Sequence, residues 1–288
     1  MEQSLFENEN GNFAKPMLGV VLSLFDGMSC GQIALNRASI SYGKYYASEI
    51  DKHAIKVTQH NYSDTIQLGS VTEVKGTDLP QVDLLIGGSP CQGFSFAGKG
   101  LNFEDERSKL FFEFVRLKNE LKPKYFLLEN VKMKQEFQDI ISEQLGVKPI
   151  MINSSLVSAQ NRERLYWTNI PIKTLPNDKG LLLKDIVEKG AGKKLTEQTA
   201  KRPRTLRNFR NENQKSFCML ATMWKGSQSN GMTVINDDGL RNITPLECER
   251  LQNVPDNYTN VVADTNRYTM LGNGWTVDVI AHIFGGLS

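Results

Sequence analysis

Short apolar runs alternate with amphipathic stretches along the first 170 residues of the chain. The run over residues 17–25 ends at an Asp-Gly pair, as expected for a buried parallel strand that leads into a ligand-facing turn. Apolar residues recur with helical spacing over 105–121, until Pro123 ends that helix. Further strands are predicted over 45–50, 65–71, 82–86 and 125–128, with 150–157 and 165–170 as an antiparallel edge pair. Strands that alternate with helices predict a doubly wound α/β sheet.

The pattern changes after residue 171. Residues 172–243 are polar, rich in Lys, Arg and Asn, and weakly periodic, which indicates a small, irregular second domain. Apolar patterning returns at residue 243, and 277–284 is predicted to be a helix that docks on the first domain. The predicted division is therefore a flexible tail over 1–16, a main domain over 17–171, a second domain over 172–243 and a return segment over 244–288.

Composition excludes several classes of protein. An apolar content of 40% and an aromatic content of 9% support a packed core and argue against disorder. No run approaches the ~18 apolar residues of a membrane span, and the N-terminus lacks a signal-peptide core, so an intracellular protein without a membrane partner is expected. The four cysteines have no C-x-x-C spacing, so neither a metal site nor a disulfide framework is predicted; three are interpreted as small buried side chains.

The net charge of +2 says little, but its distribution says more. Residues 189–215 carry nine basic side chains against two acidic ones, Glu197 and Glu212. Such a stretch fits a surface that follows phosphates, and it fits a solvated loop equally well.

One turn carries a candidate nucleophile. The predicted strand over 82–86 empties into Gly-Gly-Ser-Pro-Cys-Gln, which presents the Cys91 thiol at the carboxyl end of a strand, where open α/β sheets keep their active sites. This loop resembles the catalytic loop of the DNA cytosine-5 methyltransferases. Four other segments resemble motifs of that family in the family's order: 23–31, 129–131, 160–164 and the C-terminal pair 244–256 and 271–277.

The resemblance implies a fold, a reaction and catalytic residues. The fold would be the Rossmann-like sheet of the methyltransferases that use S-adenosyl-L-methionine (AdoMet), with residues 172–243 as the target-recognition domain. Cys91 would add to C6 of cytosine, and Glu129 would bond N3 and the exocyclic amine. Arg164 would hold O2, while Arg162 would brace the cysteine loop. With Gln160, these arginines are predicted to share one face of a strand.

The resemblance also implies cofactor-binding residues. Phe25 would stack on adenine in the glycine turn, and Glu49, at the end of the second strand, would accept bonds from the ribose. Ser70 stands where the family usually has an Asp that contacts the adenine amine. The full predicted set is Phe25, Asp26, Gly27, Met28, Ser29, Glu49, Ser70, Val71, Pro90, Leu110, Asn273, Gly274 and Trp275.

The sequence thus predicts a cytoplasmic DNA (cytosine-5-)-methyltransferase of a bacterial or phage-infected cell. Its partner would be double-stranded DNA, with the target base flipped out of the helix, and a cognate restriction endonuclease is a further candidate. Two alternatives stay open. One is an RNA cytosine-5 methyltransferase of the same fold, although Phe217-Cys218-Met219 does not match that branch's Cys-Phe-Thr signature. The other is a catalytically inactive paralogue that binds DNA. The oligomeric state is not predicted.

Overall fold

The computed structural model describes residues 17–89, 106–229, 231–237 and 239–287. The strands of the main sheet are β1 (Met17–Leu24), β2 (Ser41–Ser48), β3 (Ile66–Gln67), β4 (Leu84–Gly87), β5 (Tyr125–Val131), β6 (Ile150–Asn153) and β7 (Glu163–Thr168). Their order across the sheet is β3-β2-β1-β4-β5-β7-β6. Neighbours from β3 to β5 pair in parallel, and β7 runs antiparallel to β5 and β6. The predicted doubly wound α/β sheet is confirmed.

Helices pack on both faces of this sheet, and two short ones lie in the segment 172–243. The helices are α1 (Cys30–Arg37), α2 (Lys52–Asn61), α3 (Glu106–Leu121), α4 (Gln135–Leu145), α5 (Glu197–Ala200), α6 (Pro203–Arg207), α7 (Pro245–Leu251), α8 (Asp264–Asn273) and α9 (Val277–Phe284). Short 3-10 helices lie at Gly76–Asp78, Ser154–Leu156, Leu183–Asp185 and Met223–Gln228, and β8 (Val234–Asn236) pairs with β9 (Leu240–Asn242). The predicted C-terminal helix is confirmed as α9, which packs against α1.

Several strand boundaries differ from the predicted ones. β3 is Ile66–Gln67 rather than 65–71, because its pairing with β2 ends there and Gly69 leaves the extended conformation with a φ of 74°. β7 is Glu163–Thr168 rather than 165–170, because its pairing with β6 starts at Glu163.

β2 begins at Ser41 rather than at residue 45, because pairing with β1 extends it through exposed polar residues that carry no apolar signal. β6 ends at Asn153 rather than at residue 157. The Asn153 side chain accepts hydrogen bonds from the backbone N–H groups of Ser155 and Arg162, and these bonds turn the chain into a 3-10 helix.

The core consists of two apolar clusters, one on each face of the sheet. Successive strand residues point to opposite faces, so Leu84 and Ile86 enter one cluster and Leu85 enters the other. The first cluster also contains Leu183, Met219, Met223, Met232, Ile235 and Ile243. Residues of the segment 172–243 therefore share a core with the main sheet, while the domain boundaries themselves stay a prediction.

No helix in the described ranges is long and apolar enough to cross a membrane.

Candidate active site

The carboxyl ends of β4 and β5 lie side by side and bring two predicted motifs together. β4 leads through Gly87 and Gly88 to Ser89, whose hydroxyl and carbonyl oxygens both lie within hydrogen-bond distance of the Asn130 amide nitrogen, at 3.2 and 3.4 Å. Pro90 and Cys91 themselves lie outside the described residues. The last described residue before the cysteine loop is thus bonded to the residue that follows Glu129.

Glu129 lies at the centre of a polar cluster. Its Oε1 is 3.0 Å from Nε of Arg164, and its Oε2 accepts a 3.0 Å hydrogen bond from the indole Nε1 of Trp275. Both side chains of the Glu129–Arg164 pair are only 11% exposed. Burial is the largest influence and opposes the charge of Arg164, but Glu129, Cys218 and Tyr166 together outweigh it and raise the pKa of the guanidinium above its ordinary value.

Gly88 allows this cluster to sit against the cysteine loop. A Cβ atom at position 88 would lie 2.8 Å from Nε1 of Trp275 and 3.1 Å from Oε2 of Glu129. Any side chain there would displace one of these groups. The glycine is therefore required by a close approach, and the approach brings the start of the cysteine loop to the Glu129 carboxylate.

Arg162 makes structural hydrogen bonds in the part of the chain that is described. One terminal nitrogen donates to the Met219 carbonyl oxygen at 2.8 Å, and the other donates to the carbonyl oxygens of Gly272 and Gly274 at 3.1 and 2.8 Å. Burial lowers the pKa of this guanidinium, whose residue is only 2% exposed. Arg162 thus ties the segment 172–243 to the C-terminal motif. Its predicted contact with the cysteine loop involves residues outside the described ranges.

The predicted strand face is only partly correct. β7 begins at Glu163, so Gln160 and Arg162 precede the strand; both are buried, and Gln160 donates to the Leu251 carbonyl oxygen at 2.8 Å. The reason is a backbone pairing with the segment 172–243: Ser216 N–H donates to Ala159 O at 2.7 Å, and Asn161 N–H donates to Ser216 O at 3.0 Å.

That pairing places Cys218 beside both arginines. Its Sγ lies 3.5 Å from Arg162 and 3.8 Å from Arg164. The expectation that this cysteine is a buried core side chain is wrong, because it is half-buried, whereas Cys30 and Cys248 are buried as expected. An open cavity of about 550 Å³ separates Arg164 and Cys218 from Lys132 and Asn161. A sequence reading gives no signal for Cys218, since it is 54 residues from Arg164.

A second group of predicted residues forms the turn after β1. Phe25, Gly27 and Ser29 have φ values of 57°, 60° and 64°, in the left-handed region that only glycine adopts without strain. Two non-glycine residues in this strained conformation within five positions are typical of a functional site, where the surrounding structure stabilises the strain. Glu49 fixes it: Oε2 accepts from Gly27 N–H at 2.8 Å, while Oε1 accepts from the N–H groups of Ile50 and Asp51.

Asp26 carries an enclosed oxygen atom. Its Oδ1 accepts a 2.9 Å hydrogen bond from the Tyr45 hydroxyl, but Oδ2 is buried and has no hydrogen-bond partner among the described residues. Burial is the main cause that raises the pKa of Asp26 to about 6, against lowering contributions from Ser23, Tyr45 and Ser29. A carboxylate with one satisfied and one orphaned oxygen is suited to a cationic ligand group.

The C-terminal motif closes over this turn. The Met28 Sδ-methyl group would be 2.9 Å from a Cβ at Gly274, and the Cys30 thiol donates to the Trp275 carbonyl oxygen at 3.7 Å. Gly274 and Trp275 are half-buried, and Asn273 is exposed at the end of α8. The turn after β1 and the C-terminal motif are thus in contact, although Cys30 and Trp275 are 245 residues apart in sequence.

The remaining predicted cofactor residues lie nearby in the fold. Val71 is buried, and its carbonyl oxygen accepts from Arg116 at 3.3 Å. Ser70 is half-buried and is hydrogen-bonded to the Thr72 hydroxyl at 2.8 Å, and Leu110 packs on the second apolar cluster. A larger depression of about 790 Å³ lies at the amino ends of β2 and β3, at the opposite edge from Glu129.

Comparison with known proteins agrees with this geometry. The family model for C-5 cytosine-specific DNA methylase matches residues 20–179 and 134–288. The chain belongs to this family. Its members use S-adenosyl-L-methionine as the methyl donor.

Two relatives illustrate the range of the family. The orphan methyltransferase M.SPRI of Bacillus phage SPR is 37% identical over 186 residues, which cover 59% of this chain and 42% of the relative. The type II methyltransferase M1.ScrFI of Lactococcus lactis subsp. cremoris is 30% identical over 298 residues, covering 90% of this chain and 75% of the relative. The chain thus spans less than half of the first relative.

Solved structures share the fold. The Entamoeba histolytica methyltransferase EhMeth superposes with a TM-score of 0.81 at 18% identity, over 94% of this chain and 99% of that one. A DNMT2 variant of Spodoptera frugiperda superposes with a TM-score of 0.74 at 21% identity, over 93% and 99%.

The turn after β1 fits the family's cofactor. The orphaned Oδ2 of Asp26 suits the ammonium group of a bound amino acid moiety. Glu49 Oε1 already accepts two hydrogen bonds, but Oε2 accepts only one and keeps a lone pair for a ribose hydroxyl. In the described ranges, no cluster of His, Cys, Asp and Glu could hold a metal ion.

Proposed function

We propose that this chain is an AdoMet-dependent DNA (cytosine-5-)-methyltransferase that acts on a flipped-out cytosine through Cys91. The observation that carries the proposal is the Glu129 carboxylate, held by Arg164 and Trp275 at 3.0 Å each, beside the glycine that leads into the cysteine loop. The nucleophile would then lie near a base-recognising carboxylate at the end of β5 and a cation on β7.

Cys91 would supply the covalent step. Its thiolate adds to C6 of cytosine, which moves the electron pair of the C5–C6 double bond to C5. C5 is then the nucleophile that takes a methyl group. The bound cofactor would supply it from its sulfonium, whose sulfur keeps the electron pair of the broken S–CH3 bond and leaves as a neutral thioether. Loss of the C5 proton and expulsion of the thiolate from C6 restore the double bond. Cysteine suits both ends of this sequence, because its thiolate is a good nucleophile and a good leaving group.

Glu129 and Arg164 would act on the ring. The carboxylate receives the exocyclic amine and supports a proton on N3, which makes C6 more open to attack. The guanidinium lies against the same carboxylate and is placed to hold O2, where negative charge develops. Trp275 would act as a positioning residue, since its indole N–H fixes the second carboxylate oxygen. This role would be additional to the cofactor contact that the resemblance implies for Trp275.

The cofactor would lie along the turn after β1. Asp26 would bind its ammonium group, Glu49 its ribose and Phe25 its adenine. Met28 and Ser29 would shape the helix entry, and the remaining lining would come from Gly27, Ser70, Val71, Pro90, Leu110, Asn273, Gly274 and Trp275. Ser70 offers a neutral oxygen in place of the family's usual carboxylate.

The substrate is proposed to be double-stranded DNA, with the segment 172–243 as the recognition region. The description of the family, C-5 cytosine-specific DNA methylase, supports DNA as the substrate. The relatives M.SPRI and M1.ScrFI are named as an orphan and a type II methyltransferase. A type II relative also supports a restriction–modification context, in which a cognate endonuclease would share the recognition site. A protein of this kind would work in the cytoplasm.

The test is methyl transfer from tritiated AdoMet to plasmid DNA and, in parallel, to transfer RNA, followed by bisulfite sequencing of the plasmid. Transfer to DNA at a fixed cytosine context supports the proposal. Transfer to RNA alone would replace it with the RNA alternative. AdoMet and DNA binding without transfer to either nucleic acid would favour the inactive paralogue.

A further inference from the structure

The segment 172–243 does not present its basic residues uniformly. Lys215 Nζ donates to the carbonyl oxygens of Ser155 and Ser158 in the main domain, at 2.7 and 3.1 Å, and to that of Leu181 in the segment itself, at 2.7 Å. This ammonium group therefore links the segment to the main domain. The Arg210 guanidinium lies 3.4 Å from the centroid of the Phe217 ring. Burial lowers the pKa of both groups. These two cations stabilise the segment and are poorly placed for DNA.

The exposed cations are elsewhere. Arg202, Arg204 and Arg207 are exposed at the start and end of α6, and Lys225 is exposed on the 3-10 helix Met223–Gln228. Between residues 198 and 236 the chain has seven basic side chains and a single acidic one, Glu212. This surface is positive, which suits a phosphate backbone.

An exposed tryptophan lies on the same surface. Trp224 is 48% exposed, whereas Trp167 is fully buried. Lys225 Nζ lies 5.4 Å from the centroid of the Trp224 ring, a cation held over an aromatic face. Exposed tryptophan side chains are enriched at binding interfaces, because the ring offers a large apolar surface and the indole N–H can still donate a hydrogen bond.

The tryptophan is held by a rigid support. Met223, the residue before it, is fully buried, and Gly226 kinks the backbone with φ at 75°. Asn208 then donates to the carbonyl oxygens of Ser227 and Ser229, each at 2.8 Å, which ties the end of α6 to this helix. Ser227 and Ser229 are buried in this support, whereas Thr222, Trp224 and Lys225 are exposed.

The support also fixes Trp224 relative to the candidate active site. A Cβ at Gly272 would be 2.4 Å from the Ala221 nitrogen, so residues 220–221 press on α8. Cys218 lies beside Arg164, and the six residues to Trp224 span at most about 20 Å. Trp224 is thus within reach of nucleotides that flank a base bound at Glu129.

We infer that Trp224 stacks on a nucleobase next to the flipped cytosine, while Arg202, Arg207 and Lys225 hold the adjacent phosphates. The inference rests on the proposed function and assigns one recognition contact within it. Turning a cytosine out of the duplex exposes the faces of neighbouring bases, and an indole ring covers such a face in any sequence context. A positive rim around an aromatic centre fits DNA better than an apolar protein partner.

The experiment compares Trp224→Ala, Trp224→Phe and Arg207→Gln with wild type. Binding to a short duplex that carries the site found by bisulfite sequencing is measured by fluorescence anisotropy over a series of salt concentrations. Loss of one stacked base weakens binding roughly 5- to 150-fold, so Trp224→Ala should weaken binding within that range. Trp224→Phe should recover most of the loss, because its ring still stacks. Neither change should alter the salt slope.

Arg207→Gln should behave differently. Losing one phosphate contact lowers the slope of log affinity against log salt by about 0.9. Leu175→Ala is the matched control, since Leu175 is 51% exposed and follows Thr174, whose carbonyl oxygen contacts His282 of α9, so its loss should change neither affinity nor slope. AdoMet binding checks that each variant is folded, and Trp224→Gln replaces the alanine variant if that one is not.

Two outcomes overturn the inference. If Trp224→Ala binds DNA within about twofold of Leu175→Ala, no base stacks on this ring. If phenylalanine fails to rescue, the effect is not stacking. Failure of the proposed function is recognised separately, because wild-type protein would then transfer no methyl group to the same duplex.

Discussion

Replacing Asp26 by Asn should stabilise the cofactor-free protein and weaken AdoMet binding at the same time. The pKa of this carboxyl is raised from 3.8 to about 6, mainly by burial. The folded state therefore binds the proton more tightly than the unfolded chain does. The contribution of Asp26 to stability is highest below pH 3.8, falls as pH rises towards 6, and is constant above that.

The size of the effect follows from the shift. The rise of the Asp26 pKa from 3.8 to about 6 corresponds to roughly 3 kcal/mol of unfavourable free energy from the ionised carboxylate at neutral pH. The asparagine oxygen can still accept from Tyr45, but its amide N–H groups face the place where Oδ2 has no partner, at a cost of about 1–3 kcal/mol. The difference is a net gain of up to about 2 kcal/mol at pH 7.5, which would raise Tm by up to roughly 8 °C in a protein of this size.

The assay is thermal unfolding of both proteins, without and with AdoMet, at pH 7.5 and pH 5. Without AdoMet, the advantage of Asp26→Asn should shrink by about 1.4 kcal/mol at pH 5, where the wild-type carboxyl is largely protonated. Calorimetry at pH 7.5 should show AdoMet affinity lowered about 10- to 150-fold, the value of a hydrogen bond to a charged group.

Two results would refute the reasoning. A stability difference that does not change between pH 7.5 and pH 5 would mean that Asp26 is not a buried carboxylate with a raised pKa. Unchanged AdoMet affinity would remove Asp26 from the cofactor site. Asp51→Asn serves as a control, because that carboxylate is an exposed helix cap.

Four further changes test other parts of the molecule. Cys91→Ala should abolish methyl transfer while AdoMet binding and folding persist, and wild-type protein should form a denaturation-stable adduct on DNA that carries 5-fluorocytosine at the target; transfer by the alanine variant would disprove covalent catalysis. Glu129→Gln should slow single-turnover transfer about 10²- to 10³-fold with little change in DNA affinity, and an unchanged rate would place Glu129 outside the chemistry. Ser70→Asp should leave AdoMet affinity unchanged or raise it by calorimetry, so a large loss would indicate a different adenine contact. Lys215→Met should lower the free energy of unfolding by about 2 kcal/mol in denaturant titrations, because three carbonyl oxygens lose a charged donor. The control is Lys193→Met, since Lys193 is exposed. Equal stability of the two variants would show that the Lys215 hydrogen bonds do not stabilise the fold.

The sequence by itself determined the sheet and its order of motifs. Continuous apolar runs predicted β1, β4 and β5, because strands buried on both faces need apolar side chains at every position. Apolar residues at helical spacing predicted α3 and α9, because a helix that packs on a sheet buries one of its sides. Residues that end such strands, including Glu129, could be assigned to one edge, since the carboxyl ends of parallel strands lie together.

Tertiary structure alone decided what those residues contact. Trp275 lies 146 residues from Glu129, and Cys218 lies 54 residues from Arg164, so no local pattern links either pair. Sequence alone also could not distinguish the basic residues of 189–215 from one another. In the structure, the Lys215 ammonium donates to three carbonyl oxygens, whereas Arg207 is exposed to solvent. Periodicity reports which face of an element is buried, because burial repeats along one element. Contacts between side chains that are distant in sequence form only when long stretches of chain fold back on each other. Which side chains then meet is decided by the tertiary structure.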